Sequence, residues 1–464
     1  MKSIPRIMIS APSTGSGKSV ITTGLMAAFS NQFPVQGFKV GPDYIDPMYH
    51  TAATGRPSRN LDAWMLPEDR VQAIFLRADQ NASLSIIEGV MGLFDGYGSD
   101  PLIGSSAGIA ALMKIPIVLV LDCSEISGSA AAVVHGFNSF CDPIRLSGVI
   151  CNRVGGEQHG QWLKEAIEAR NPVPVLGCIP RLAELQIPER HLGLFTVAER
   201  QDAVKELIDQ AQRTVEKYLD LERILKIANA AEPFPGMPEP EPPQAAACIR
   251  LAVARDEAFC FYYEDNLDEL RRCGAEIVPF SPLMDEHLPE GISGIYLGGG
   301  YPELYAERLS QNSLMCTQLL TCIQQNMPVY AECGGLMYLT EGIRTSQASY
   351  SLVGAVPGWC EMSERLSMGY REVQLSGSSF LGEAGSKLRG HEFHYSRWQS
   401  DVAQNLAPYS ILNRKPDKGS WREGYSKGNL LASYIHIHFS QNPLIGKNIV
   451  QACLRWSSNK KLEI

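Results

Sequence analysis

The chain has 464 residues, 45% of them apolar and 20% charged, and a formal net charge of −9. This length exceeds what one hydrophobic core normally organises, so two globular domains are expected. The acidic balance argues against a general nucleic-acid surface, which needs clustered lysine and arginine. No apolar run could span a bilayer and no leader pattern opens the chain, so we expect a cytoplasmic protein. The twelve cysteines contain no CxxC pair and are predicted to be reduced thiols.

A proline-rich stretch at residues 229–247 separates two α/β patterns. Its prolines can neither continue a helix nor donate to a sheet, which predicts a semi-rigid linker between domains at 1–228 and 248–464. Apolar runs alternate with helical stretches, as in a parallel sheet covered on both faces. In the first domain the predicted strands are 7–10, 38–40, 84–87, 115–121, 146–151 and 175–179. In the second domain the predicted strands include 249–254, 276–280, 294–297, 329–331 and 430–437.

Residues 11–19 read APSTGSGKS between a predicted strand and an apolar-periodic helix. In a P-loop, backbone amides and the helix amino terminus face phosphates, Lys18 reaches the β- and γ-phosphates and Ser19 ligates Mg²⁺. The loop has Pro12 where the standard pattern has glycine, and a chance glycine-rich turn is the alternative. Asn152, at the end of another predicted strand, is expected to read an adenine edge or to cap a turn. The nucleotide-binding residues predicted in the loop are Thr14, Gly15, Gly17, Lys18 and Ser19.

Two acidic clusters follow predicted strands, PDYIDP at 42–47 and EGVMGLFDG at 88–96. Ligands bind at the carboxyl ends of strands in open parallel sheets. Asp46 and Glu88 are therefore candidates to hold Mg²⁺ together with Ser19. Each carboxylate taken alone is about as well explained as a turn cap. The residues predicted near the phosphoryl acceptor are Asp43, Tyr44 and Asp95.

The turn AECGG at 331–335 lies between a short apolar strand and a predicted helix. Small neighbours of this kind let a strained nucleophile project its side chain. Taken alone, Cys333 could be an inert buried thiol, and as a nucleophile it needs a base. His436 and His438 are expected on one face of a strand, so their spacing leaves open which one pairs with the sulfur. The amides expected to form an oxyanion hole are those of Gly299, Gly300 and Gly334.

In combination these motifs resemble the cobyrinate a,c-diamide synthase family of cobalamin biosynthesis. The matching stretches are 11–19, 39–47, 88–96, 297–303, 331–335, 390–396 and 433–439. The resemblance implies an ATP-dependent domain similar to dethiobiotin synthetase, followed by a class I (triad) glutamine amidotransferase domain. It implies that Cys333 is the nucleophile and His436 its base. Triad enzymes place Glu two residues after that histidine, where this chain has His438, so a second imidazole and a catalytic dyad both stay open.

The implied function is ATP- and glutamine-dependent amidation of the a and c carboxylates of cobyrinic acid, with Mg²⁺. A carboxylate must become an acyl phosphate before ammonia can attack it, and ATP can supply that phosphate. One alternative is the same chemistry on hydrogenobyrinate or nickel-sirohydrochlorin. Another is a P-loop regulatory or partitioning ATPase carrying a noncatalytic amidotransferase-like module. The expected partners are the corrinoid, ATP and glutamine, with neither nucleic acid nor membrane among them, and a homodimer is left open.

Overall fold

The structure is a computed structural model that describes residues 4–182, 189–190, 193–194, 197, 199–234, 248–400, 406–412 and 421–462. The chain divides into two compact units, 1–239 and 240–464. Most of the predicted linker, residues 235–247, lies outside the described residues. The domain boundaries drawn from the sequence therefore stay predictions.

The first unit is a parallel sheet with helices. Its strands are β1 (Arg6–Ser10), β2 (Val35–Val40), β3 (Arg59–Leu61), β4 (Leu84–Glu88), β5 (Ile117–Asp122), β6 (Leu146–Val154), β7 (Val175–Pro180) and a separate pair, β8 (Glu189–Arg190) and β9 (Gly193–Leu194). Its helices are α1 (Lys18–Ser30), α2 (Ile45–Thr54), α3 (Glu68–Ala78), α4 (Ser106–Leu112), α5 (Ser129–Ser139), α6 (Glu157–Glu168), α7 (Gln201–Tyr218) and α8 (Leu221–Asn229). The main sheet has the order β3-β2-β4-β1-β5-β6-β7.

The six strands predicted for this unit all form, and every pairing in the main sheet is parallel. Strand β1 is buried along its whole length, as a strand covered on both faces must be. Strand β3 escaped prediction because its three residues, Arg-Asn-Leu, carry no apolar run. Helix α7 packs closely on α1, where a Cβ on Gly24 would lie 2.6 Å from the Ala211 carbonyl oxygen.

The second unit contains a mostly parallel sheet and a mostly antiparallel one. Its strands are β10 (Ile249–Ala254), β11 (Ala275–Phe280), β12 (Gly294–Leu297), β13 (Val329–Glu332), β14 (Thr340–Arg344), β15 (Ser349–Ser351), β16 (Val356–Leu375), β17 (Lys387–Gln399), β18 (Tyr409–Ile411), β19 (Trp421–Glu423), β20 (Tyr425–Lys427), β21 (Leu430–Ser433) and β22 (His436–Ile437). Its helices are α9 (Glu264–Arg272), α10 (Ala306–Gln311), α11 (Ser313–Gln324), α12 (Gly334–Leu339) and α13 (Leu444–Leu462). The sheet orders are β11-β10-β12-β13-β21-β20 and β15-β14-β16-β17-β22.

The prediction of one strand over 430–437 is wrong. The chain leaves the first sheet after Ser433 and enters the second sheet at His436, where β22 pairs with β17. The Ser433 hydroxyl accepts a hydrogen bond from the Ile435 amide at 2.8 Å, which turns the backbone between the two strands. His438 follows β22 and begins a 3₁₀ turn, so the two imidazoles do not share one strand face.

Within the parts of the chain that the structure describes, no helix combines the length and apolar character needed to cross a membrane.

Candidate active sites

The phosphate loop of the first unit joins the end of β1 to the start of α1. Gly15 and Gly17 have φ angles of 83° and 92°, in the left-handed region that favours glycine. Nothing lies within 4 Å of a Cβ placed on Gly15, whereas one placed on Gly17 would be 2.3 Å from Asn152 Nδ2. Gly15 is therefore favoured by its backbone conformation alone, whereas Gly17 is also required by the closeness of Asn152. The neighbouring Thr14 is exposed.

Lys18 folds back over this loop. Its ammonium donates to the carbonyl oxygens of Met91 at 2.7 Å and Ser13 at 3.3 Å, and the residue is 7% exposed. Burial and the nearby Lys39 ammonium lower the pKa of Lys18. A buried cation facing the loop is the arrangement expected of the lysine that contacts nucleotide phosphates.

A buried charge network surrounds Glu88 at the end of β4. Its Oε1 accepts from Ser19 Oγ at 2.6 Å and Lys39 Nζ at 2.9 Å, and its Oε2 lies 2.7 Å from His50 Nε2. Lys39 also contacts Asp46 Oδ2 at 2.5 Å. Burial alone would raise the Glu88 pKa, but the Lys39 ammonium and the hydrogen bonds with His50 and Ser19 lower it below its usual range. Glu88 is therefore ionised beside the phosphate loop.

Lys39 and His50 were missed as site residues. All six residues of β2 are buried, Lys39 among them, and a charge inside a buried parallel strand requires a partner. Strand β2 is adjacent to β4 in the sheet, which brings Lys39 to Glu88. The available sequence signal for this network was Lys39 between the apolar residues Phe38 and Val40 of the predicted strand.

Magnesium fits part of the predicted ligand set. The Ser19 hydroxyl and the Glu88 carboxylate are adjacent hard oxygen donors, which suit Mg²⁺ with water and phosphate oxygens completing its shell. Within the described ranges no group of three or more His, Cys, Asp or Glu side chains is placed to hold a metal by itself. Asp46 Oδ2 contacts Lys39 Nζ, and the role of Asp46 as a magnesium ligand stays a prediction.

The predicted acceptor residues lie near the network but make local bonds. Asp43 Oδ1 accepts from the amides of Ile45 at 2.8 Å and Asp46 at 3.1 Å, at the start of α2. Asp95 Oδ2 accepts from the Gly92 amide at 2.9 Å. Both carboxylates cap turns, the alternative considered above, and Tyr44 is buried beside α2. Their role toward substrate stays a prediction.

Asn152 supports the phosphate loop. Its Nδ2 donates to the Ser16 carbonyl oxygen at 2.9 Å, and its Oδ1 accepts from the Arg153 amide at 3.0 Å. The amide group thus links the end of β6 to the loop from the side. Recognition of an adenine edge by Asn152 stays a prediction.

We expect Gly17→Ala to weaken ATP binding about 10-fold or more, the equivalent of about 1.4 kcal/mol, because the methyl group meets Asn152 in a left-handed backbone. Calorimetric titration with a nonhydrolysable ATP analogue measures the loss. Gly15→Ala is the matched control, since its φ is similar and its surroundings are open. Equal losses in the two variants would contradict this steric explanation.

The nucleophile turn of the second unit follows β13. Cys333 has φ 49° and ψ −102°, a strained conformation for a residue with a side chain. A Cβ on Gly335 would lie 2.4 Å from the Leu297 carbonyl oxygen, which explains the small residues after the cysteine. Burial and the Glu303 carboxylate raise the pKa of the Cys333 thiol well above its usual range. Removal of its proton therefore needs a base.

A glycine segment after β12 lies between His436 and the nucleophile turn. A Cβ on Gly299 would be 2.6 Å from His436 Cε1 and 3.3 Å from its Nε2. On the other side, a Cβ on Gly334 would be 3.0 Å from the Gly300 nitrogen and 3.4 Å from the Gly299 carbonyl carbon. The imidazole and the turn that carries Cys333 thus border the same short backbone segment.

Of the three glycines predicted to form the oxyanion hole, Gly334 and Gly300 lie together at the nucleophile turn. The Gly334 amide partly offsets the rise in the pKa of Cys333, and a Cβ on Gly334 would lie 3.0 Å from the Gly300 nitrogen. The Gly299 amide instead donates to the Phe261 carbonyl oxygen at 3.3 Å. A role for Gly299 in the oxyanion hole stays a prediction, and its missing side chain makes room for His436.

His438 makes local contacts beyond the end of β22. Its Nδ1 accepts from the Ser440 amide at 3.3 Å, and its ring centroid lies 4.7 Å from that of Tyr263. The His436 ring instead stacks on His391, its register partner in β17, at 4.9 Å. His438 as a catalytic residue stays a prediction.

Glu332, directly before the nucleophile, was also missed. Its Oε2 accepts from the Tyr296 hydroxyl at 2.8 Å, and its Oε1 accepts from the Tyr330 hydroxyl at 2.7 Å and the Ile437 amide at 2.9 Å. The distance from Oε2 to His436 Nδ1 is 3.6 Å. An acidic residue closing a short apolar strand was the signal in the sequence.

Family models match both units. Residues 7–195 match the CobQ/CobB/MinD/ParA nucleotide binding domain, and residues 250–444 match the CobB/CobQ-like glutamine amidotransferase domain. The predicted order of a P-loop α/β domain followed by a glutamine amidotransferase α/β domain is confirmed.

The cobyrinate a,c-diamide synthase of Priestia megaterium is 42% identical to this chain, with 97% of each chain covered. The protein of the same name from Listeria innocua is 43% identical and covers 95% of this chain and 97% of its own length. That from Picrophilus torridus is 41% identical, with coverages of 97% and 99%. The prediction of a glutamine-dependent ligase family of cobalamin biosynthesis is confirmed, and the chain belongs to the cobyrinate a,c-diamide synthase family.

Proposed function

We propose that this protein is a cytoplasmic enzyme that converts the a and c side-chain carboxylates of cobyrinic acid to amides, with ATP and glutamine as co-substrates. The observation that carries the proposal is the presence of two complementary sites in one chain. One is a phosphate loop with a buried lysine, and the other is a strained cysteine in an amidotransferase domain. The names of the relatives that match nearly the whole chain support cobyrinate as the substrate.

The first unit would activate the acid. A carboxylate oxygen of the substrate attacks the γ-phosphorus of ATP, the bond to the bridging oxygen breaks, and ADP leaves an acyl phosphate behind. Lys18 offsets the negative charge of the transferred group. Ser19 and Glu88 would hold Mg²⁺, which supplies further charge neutralisation at the phosphates.

The second unit would supply the nitrogen. His436 takes the thiol proton while Cys333 sulfur bonds to the side-chain carbonyl carbon of glutamine. The carbon–nitrogen bond then breaks, the imidazolium returns the proton to the leaving nitrogen, and ammonia departs. Water hydrolyses the remaining thioester to glutamate and the free thiol. Ammonia attacks the acyl phosphate and displaces phosphate, which completes the amide.

Mass spectrometry of the reaction products tests this function. The purified protein is incubated with ATP, glutamine and one of cobyrinic acid, hydrogenobyrinic acid or nickel-sirohydrochlorin. We expect a diamide from cobyrinic acid, with one ADP and one glutamate for each amide. A diamide from another macrocycle alone would change the substrate assignment. ATP hydrolysis without glutamine hydrolysis would favour the regulatory ATPase alternative.

A further inference from the structure

We propose that Glu332 is the positioning residue for His436, so that the third member of the glutaminase triad precedes the nucleophile in the chain. The proposal rests on the glutaminase half of the proposed function and specifies how its base is held. It replaces both possibilities left open by the sequence, a second imidazole at His438 and a dyad without a third member.

The geometry places the carboxylate at the correct edge of the ring. Glu332 Oε2 lies 3.6 Å from His436 Nδ1, and both side chains are almost completely buried. The other ring nitrogen, Nε2, borders the glycine segment at Gly299, whose far side meets the nucleophile turn at Gly334. A carboxylate at Nδ1 fixes the tautomer in which Nε2 can accept the thiol proton, and it stabilises the imidazolium that results.

The carboxylate is held firmly enough to act in this way. Two tyrosine hydroxyls and the Ile437 amide donate to its oxygens at 2.7 to 2.9 Å. Burial and the Glu332 charge raise the pKa values of Tyr296 and Tyr330, which keeps both hydroxyls protonated as donors. Because Ile437 directly follows His436, its bond to Glu332 also fixes the backbone that carries the imidazole.

The imidazoles of His391 and His438 do not offer this charge. His391 stacks on the His436 ring, and burial together with the neighbouring imidazoles lowers the His391 pKa, so its ring is neutral. His438 begins the turn after β22 and bonds to the Ser440 amide. An imidazole at either position provides no negative charge to stabilise the His436 imidazolium.

Glu332→Gln tests the proposal through glutaminase kinetics of the full-length protein. We expect kcat to fall about 100-fold or more, with the KM for glutamine changed less than about threefold, because the carboxylate acts on the base and not on the substrate. Loss of the negative charge should make the protonated imidazole less stable. The acid limb of the kcat/KM profile should therefore move to lower pH, a change that altered packing alone would not produce.

Glu423→Gln is the matched control. Glu423 is also a buried carboxylate that accepts from a hydroxyl and an amide, those of Ser433 and Tyr434. Burial raises its pKa to about 7, so an amide is a close substitute for it. We expect unchanged glutaminase kinetics and an unshifted acid limb in this variant.

Two further variants keep the proposal falsifiable if Glu332→Gln fails to fold. Glu332→Asp retains the charge and should keep the acid limb near its parental position with kcat between those of the parent and the Gln variant. His438→Gln should stay within about threefold of the parent. Any one of three results would overturn the proposal. These are a parental kcat in Glu332→Gln, a displaced acid limb in Glu332→Asp, and an acid-limb shift that occurs in His438→Gln alone. Absence of glutaminase in the parent would instead overturn the proposed function.

Discussion

Replacing Cys333 with alanine will reduce glutamine-supported amide synthesis by about 1,000-fold or more, while synthesis from ammonium salts continues. Cys333 supplies the sulfur atom of the thioester from a strained turn, and alanine has no atom that can form this bond. Free ammonia can still attack an acyl phosphate formed in the first unit. Amide product measured with each nitrogen source in parallel, at a pH high enough to supply free ammonia, gives both values.

Cys453→Ala is the matched control for this variant. Cys453 is a buried thiol in the same unit, with its pKa raised by burial to about 12, and it lies in α13 with no strained backbone. We expect both nitrogen sources to support synthesis in that variant. If Cys333→Ala lost ammonia-supported synthesis as severely as glutamine-supported synthesis, the division of labour between the two units would be wrong.

The sequence was sufficient to predict features that depend on neighbours in the chain. The strand-turn-helix around Lys18 and the small residues after Cys333 carry their own conformational requirements, because positive φ angles and close backbone approaches demand glycine. Buried parallel strands such as β1 stand out for a similar reason, since both of their faces must be apolar.

Other parts of the sites depend on sheet order and on distant hydrogen bonds. Lys39 reaches Glu88 only because β2 and β4 are adjacent in the sheet, although α2, β3 and α3 separate them in the chain. The chain turns between β21 and β22, where the Ser433 hydroxyl accepts a hydrogen bond from the Ile435 amide. The break places His436 in β22, with its Nδ1 toward Glu332. The spacing of residues in the sequence does not predict this break.

Glutaminase chemistry should survive the loss of the phosphate-loop cation. We expect Lys18→Ala to lower amide synthesis by about 1,000-fold or more with glutamine or with ammonium as the nitrogen source, since both routes need the acyl phosphate. Basal glutamine hydrolysis should stay within about tenfold of the parent, because Cys333 and His436 belong to the other unit. ADP, glutamate and amide measured in the same reactions separate the two activities.

Lys164→Ala, an exposed lysine on α6 of the same unit, serves as the control and should match the parent in all three products. The comparison between the two lysines isolates the buried ammonium from the general charge of the unit. Unimpaired synthesis in Lys18→Ala would remove the loop from the mechanism. The ammonium that the substitution deletes is the group that contacts the Ser13 and Met91 carbonyl oxygens. Loss of glutamine hydrolysis to the same extent as synthesis would instead mean that thioester formation depends on the activated acid, so the two reactions would be coupled obligatorily.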